Sequence, residues 1–353
     1  MRAVAQTQAP PSPASEFYAE QQQRKLATLI ILDRLWSRMK PEGNWSEQFG
    51  PLSVLMGAVV GQAQEQVARR AARYAADLAQ LRNIDPPDET INPAGFAGWN
   101  GDGRTIEDML GSAVAHSGQA FSEAKALVAP EDFNASEAAK AALEEGRRFI
   151  ATSVATAMAD TARAAASASL TATPQVIGYI RMLNPPSCSR CVVLAGRFYK
   201  WNAGFARHPG CDCVHIPETV ANASGGLANP DAYFHSLGET QQNRIFTNAG
   251  AQAIRDGADI SAVVNARSGM SVAQDLNGRK VFATSTGTTK RGWFGGGYAA
   301  RKYGDTDWFN QFAVAKSGQK HVPPVRLMPE SIYQLASDRT EAIALLKRYG
   351  FFL

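Results

Sequence analysis

All four cysteines of this 353-residue chain lie in one stretch, Pro185 to Cys213, which reads PPSCSRCVVLAGRFYKWNAGFARHPGCDC. Any fold must therefore accommodate a Cys-x2-Cys turn at Cys188 and Cys191 and a Cys-x-Cys turn at Cys211 and Cys213, with His208 ahead of the second pair. The N-terminal run MRAVAQTQAPPSPASEF has Pro, Ser and Gln where a secretory signal needs an apolar segment, so a cytoplasmic setting is expected. In a reducing compartment two disulfides are disfavoured, and the spacing points to a metal. Zinc suits it best: a Cys-x2-Cys turn sets two thiolates at about 2.3 Å from the ion, and a second pair from a distant strand closes the tetrahedron. His208 and His215 add nitrogen donors, so the four ligands stay open among Cys188, Cys191, His208, Cys211 and Cys213. Disulfides and unmetallated buried thiols are the alternatives. A site closed by four protein ligands is structural, because catalysis needs an open position.

The rest of the chain predicts a mainly α fold: a helical N-terminal domain over 17–183, a zinc-knuckle and β-hairpin module over 184–220, and an α+β region over 221–353 ending in two helices. A disordered arm is expected over 1–16. Hydrophobic residues make up 45% of the chain, enough for sizeable cores. The longest apolar run, LATLIILDRLW, is interrupted by Asp33 and Arg34, so no membrane span is expected. A first helix carries Leu26, Ile30 and Leu35 on its stripe and stops before Pro41. Pro51 suits the first turn of a second helix, whose stripe is Leu55, Val59, Val67, Ala71, Tyr74 and Leu78 and which Asp85-Pro86-Pro87 ends. Thr105 with Asp108 and Asn134 with Glu137 read as caps of two further helices. The last of these, Ser136 to Leu170, is dominated by alanine and would span roughly 50 Å at 1.5 Å per residue. Long helices of this kind predict a bundle.

Within the cysteine stretch, β-prone runs on either side of Ala195-Gly196 read as a hairpin that carries the knuckle. Further on, ETQQNRIFTNAGAQAIRDGAD reads as one helix stopped by Gly257, ISAVVNARSGM as a short one and KVFATST as a strand. At the end, Pro329 opens a helix, Ser337-Asp338 break and recap it with Glu341, and Gly350 closes it.

The order Cys-x2-Cys, Leu-Ala-Gly-Arg, then His-Pro-x-Cys-x-Cys, preceded by a long helix and followed by FTNAGAQAIRDGADISAVVNAR, resembles the MuF-like minor head proteins of tailed bacteriophages, above all the versions from phages of actinobacteria. The resemblance is clearest from Pro185 to Met270 and looser over the helical half and the closing RLMPESIYQLASDRTEAIALLKRYG. It implies a low-copy virion protein that joins the head during assembly in the host cytoplasm, associates with the portal or major capsid protein and contacts packaged double-stranded DNA. It also implies that the motif residues Cys188, Cys191, His208, Cys211 and Cys213 bind a structural metal. One departure is that many relatives carry an Arg-Thr-Glu run where the long helix here reads MADTARAAASASL.

An enzyme is the competing class. An HNH-type nuclease would use His208 as general base and would want a second His or Asn and a carboxylate for a divalent ion, for which the nearby candidates are Asp212, His215 and Glu218. An ADP-ribosylating toxin fused to a head module would need a Glu-x-Glu or Gln-x-Glu pair, and none lies beyond Glu218. Phosphate-loop, His-Glu-x2-His and Gly-x-Ser-x-Gly motifs are missing from the sequence, so the expectation is no catalytic role. For nucleic acid the balance of 36 basic and 32 acidic residues says little. The local case is TTKRGWFGGGYAARKYG, where Lys290, Arg291, Arg301 and Lys302 bracket Trp293, Phe294 and Tyr298; the alternative is a loop whose rings pack on protein.

Overall fold

Four long helices make up the first half of the chain, and each of the last three starts at a side-chain cap. A computed structural model of the chain describes residues 12–81, 83–85, 91–183, 187–200, 211, 213–218, 229–274, 279–287 and 326–352. Helix α1 is Ser12–Trp36, α2 is Trp45–Leu81, α3 is Ile106–Ala126 and α4 is Ala135–Thr171. Asn44 accepts from the backbone of Ser46 and Glu47, Thr105 from that of Asp108, and Asn134 from that of Glu137. These caps satisfy amide donors that a helix start leaves without partners. Packing assigns the chain to two units. Among the described residues, one takes in those within 12–183 and 196–218, and the other those within 187–195 and 229–352. No helix among the described residues is long and apolar enough to cross a membrane.

The mainly helical architecture is as expected, with an α+β region after it, but several boundaries move. Residues 12–16, assigned to the arm, are helical, because Ala14 and Phe17 are buried and anchor the first turns; residues 1–11 lie outside the described ones. Helix α2 starts at Trp45, which leaves Pro51 inside it. The Asn44 cap and the burial of Phe49 extend the helix past the proline, although Pro51 offers no N–H to the turn before it. In α1 the stripe also shifts. Leu26 and Ile30 are 60% and 45% exposed, while Thr28, Leu32 and Leu35 face the core at i, i+4 and i+7. An apolar run with residues on every side of a helix fits either face, and Thr28 can be buried because its hydroxyl donates back to the Arg24 carbonyl at 2.9 Å.

The helices form one continuous core with Met56, Val60, Ala71, Ile106, Leu110, Val154 and Ala165. They come close together at Gly146 of α4. A Cβ there would sit 2.6 Å from the Trp36 ring and 2.9 Å from the Ala113 carbonyl, and would collide with the Ser117 hydroxyl. Trp36 donates its indole N–H to the Leu143 carbonyl at 3.0 Å, which fixes the ring against α4.

After α4 come β1 (Gly178–Met182), α5 (Ser189–Leu194), β2 (Phe198–Lys200) and β3 (Val214–Glu218). The three strands form an antiparallel sheet of order β2-β1-β3, with Ile180 opposite Phe198 and Arg181 opposite His215. The hairpin expected at Ala195-Gly196 is therefore replaced. Its first run is the short helix α5, which buries Cys191, Val192 and Val193, and its second run, β2, pairs with β1. Gly196, at φ +72°, makes the turn between them, a conformation that glycine adopts without a steric penalty.

The other unit contains α6 (Pro230–Ser236), α7 (Glu239–Phe246), α8 (Asn248–Arg255), α9 (Ile260–Ala266), α10 (Pro329–Leu335) and α11 (Arg339–Arg348). Its antiparallel sheet has the order β4 (Met270–Gln274), β5 (Lys280–Thr284), β6 (Arg326–Leu327). The single helix expected over ETQQNRIFTNAGAQAIRDGAD is two. Thr247 takes φ +68°, and its hydroxyl accepts from the Gly250 backbone as the cap of α8. The expected stops and starts at Gly257, Pro329, Ser337-Asp338 and Gly350 fall where α8, α10 and α11 begin or end.

Candidate metal centre

The first cysteine pair is set by α5. Cys188 is its cap: the sulfur accepts from the Cys191 backbone N–H at 3.4 Å and lies 3.4 Å from the Cys191 sulfur. A Cys-x2-Cys spacing at a helix start thus turns both thiols to one side, with Cys188 exposed and Cys191 buried. The second pair, Cys211 and Cys213, immediately precedes β3, and each is 1% exposed. None of the four forms a disulfide.

The sulfurs of Cys191, Cys211 and Cys213 lie within 4.8 Å of one another, and all three residues are buried. This arrangement could hold a metal ion. Sulfurs bound at about 2.3 Å around a tetrahedral ion stand just under 4 Å apart, so little movement would be needed. The donors are soft, which favours a thiophilic ion over calcium or magnesium.

Of the other expected ligands, His208 lies outside the described residues. His215 is placed elsewhere. It is buried on β3, its Nδ1 is 2.8 Å from the Ser167 hydroxyl, its ring stacks on Tyr179 at 4.0 Å, and its carbonyl accepts from the Tyr74 hydroxyl at 2.8 Å. Burial pushes the Tyr74 phenol far up, so it is a donor here. Glu218, at the far end of β3, is 1% exposed, opposite Gly178 in the sheet. Asp212 and the basic-aromatic set Lys290, Arg291, Trp293, Arg301 and Lys302 lie outside the described residues.

Two arginines that the sequence reading passed over belong to this neighbourhood. Arg181, on the fully buried strand β1, is 1% exposed and its Nη2 donates to the Cys211 sulfur at 3.3 Å. Arg163 of α4 donates from Nη1 to the Cys211 carbonyl at 2.5 Å and from Nη2 to Asp160 at 2.5 Å. A signal for both was present: one charge inside the apolar run YIRML, and one inside an alanine-rich helix, are residues that are seldom buried unless paired. Compared with protein-family models, with curated proteins and with solved structures, the chain returns no match.

Proposed function

We propose that this chain is a structural minor head protein of a tailed phage, present in few copies near the portal, in which a zinc ion ties the two cysteine pairs together. The observation that carries the structural half of this reading is the burial of Cys191, Cys211 and Cys213. Three thiolates shut away from solvent suit a closed site that contributes to folding, whereas a catalytic zinc keeps a position open to water. Cys188, 3.4 Å from Cys191 at the sulfurs, or His208 completes the set. The phage-head half rests on the resemblance carried by the Cys-x2-Cys and His-Pro-x-Cys-x-Cys order and by FTNAGAQAIRDGAD. In that role the long helices α1–α4 supply rigid surface for docking on portal or capsid protein, and the 290–302 segment supplies cations and rings for packaged DNA.

Two measurements test the two halves. Elemental analysis of the purified chain should give close to one zinc per chain, falling below half in Cys191→Ser and Cys211→Ser, with melting lowered by chelator. Zinc-free protein with unchanged melting in chelator sinks the metal half. Quantitative mass spectrometry of DNA-filled particles should find a few copies of the chain per particle. Absence from particles, with cleavage of DNA by the purified chain and a divalent metal, would replace the head protein with a nuclease.

A further inference from the structure

We propose that Arg181 is a positioning residue of the metal centre, its buried guanidinium offsetting the charge of the sulfur set and holding the Cys211 sulfur in place for the ion. This inference rests on the zinc reading above. A divalent ion with four thiolates carries two net negative charges, and with three thiolates and a neutral imidazole it carries one. Either set is anionic, and a buried anion is costly unless a cation lies beside it. Arg181 is that cation. It sits on β1 among Tyr179, Ile180, Met182 and Leu183, all buried, and its Nη2 is 3.3 Å from the Cys211 sulfur. Antiparallel pairing of β1 with β3, with Arg181 opposite His215 and Met182 opposite Val214, brings this part of β1 beside the segment that carries Cys211 and Cys213.

The neighbouring arginine does a different job. Arg163 meets the backbone of Cys211, and its charge is matched by Asp160 at 2.5 Å, so it orients the peptide and adds little net charge to the sulfurs. A partner that donates to a metal-bound sulfur fixes its direction and withdraws electron density from it, and loss of such a partner typically weakens metal binding about 10- to 100-fold.

The test uses the full chain, with zinc as the probe, in competition with a chromophoric chelator at one fixed pH. R181M should bind zinc at least about 10-fold more weakly than wild type, and R181K, which keeps the charge, should recover most of the loss. The cobalt-loaded protein gives a second readout: loss of the N–H···S bond raises the sulfur lone pairs, so the sulfur-to-cobalt charge-transfer band of R181M moves to longer wavelength. Should R181M fail to fold, R181Q, which removes the charge, takes its place in the affinity measurement, where a wild-type value overturns the proposal. Wild-type affinity and an unmoved band in the charge-free variant overturn the proposal, and so does an R181K as weak as R181M. A wild type that takes up no zinc fails at the first step, which marks the metal reading as the fault.

Discussion

Helices α1–α4 and the helices over 229–352 both bury apolar and polar groups, but they differ in length and in what ties one helix to the next. The four helices are 25, 37, 21 and 37 residues long, and their shared core is made of Ala, Val, Leu, Ile, Met and a few rings. The helices of the other unit over 229–352 are 7 to 10 residues long. Helices that short are marginal by themselves, because a costly first turn is spread over few hydrogen bonds. Polar side chains tie them instead. Gln242 donates to the carbonyls of Phe234 and Leu237 that end α6. Asp256, Tyr333 and Arg339 join α8 to α10 and α11, and Arg326 reaches the carbonyls of Tyr349 and Gly350. The short helices thus add a few concentrated polar points to their apolar core.

Arg326→Met strikes one of these concentrated points and should have the largest effect. The guanidinium is buried, donates to Tyr349 at 2.7 Å, Gly350 at 3.0 Å and Thr286 at 3.3 Å, and stacks on the Phe351 ring at 4.2 Å. Its removal leaves buried carbonyls without donors, a loss of roughly 3 kcal/mol. Hydrogen exchange should show β6 and α11 losing protection while α4 keeps it. Equal loss in α4, or a change below about 0.5 kcal/mol, the range of an ordinary surface substitution, would break the contrast. Gly146→Val is the matching strike on the long helices. The added carbons meet Trp36, Ala113 and Ser117, and overpacking of this kind costs about 2 kcal/mol even after the helix gains a better former than glycine. Its effect should fall on α1, α3 and α4 in the same experiment. If Gly146→Val costs nothing, the close approach at this glycine is not a constraint on the bundle.

The same contrast explains what could be read from the sequence. The caps at Thr105, Asn134 and Asp338 and the stop at Gly257 were legible because each depends on residues within one turn. The long alanine-rich helix was legible because propensity summed over its length has no competitor. The face of α1 was not, since LATLIILDRLW is apolar all round and the choice between Leu26 and Leu32 is made by α2 and α4. The break at Thr247 was not, because a β-branched residue at positive φ is held there by the Arg267 guanidinium at 3.2 Å and the Glu330 carboxylate at 3.3 Å, neither of them a close neighbour in sequence. At the candidate metal centre the thiol pairs were plain from spacing, while α5 in place of a hairpin strand and Arg181 at the Cys211 sulfur depend on pairing between distant strands.

Asp256→Asn carries the smallest effect and separates the two regions by pH. The side chain is 1% exposed, accepts from the Tyr333 hydroxyl at 2.6 Å and from Arg339 at 2.7 Å, and is in reach of Gln252 at 3.2 Å. Burial pushes its carboxyl up, but the hydrogen bonds from Tyr333, Arg339 and Gln252 outweigh that and hold it below the ordinary value of 3.8. Burial and the bond to Asp256 push the Tyr333 phenol up, so it remains a donor throughout the acid range. With the folded carboxyl below its unfolded value, the unfolded chain binds the proton first as pH falls. The contribution is therefore complete above about pH 5 and drains away as pH drops through 4 and below. Asparagine keeps an acceptor for Tyr333 and loses the charge opposite Arg339, which is itself 70% exposed, so the loss at neutral pH should be only about 1 kcal/mol. Urea unfolding of both proteins from pH 7 to pH 3 should show that gap constant at first and closing at the acid end. A gap that persists unchanged at pH 3 would mean that the side chain acts through shape, and the short helices would then be held in the same way as the long ones.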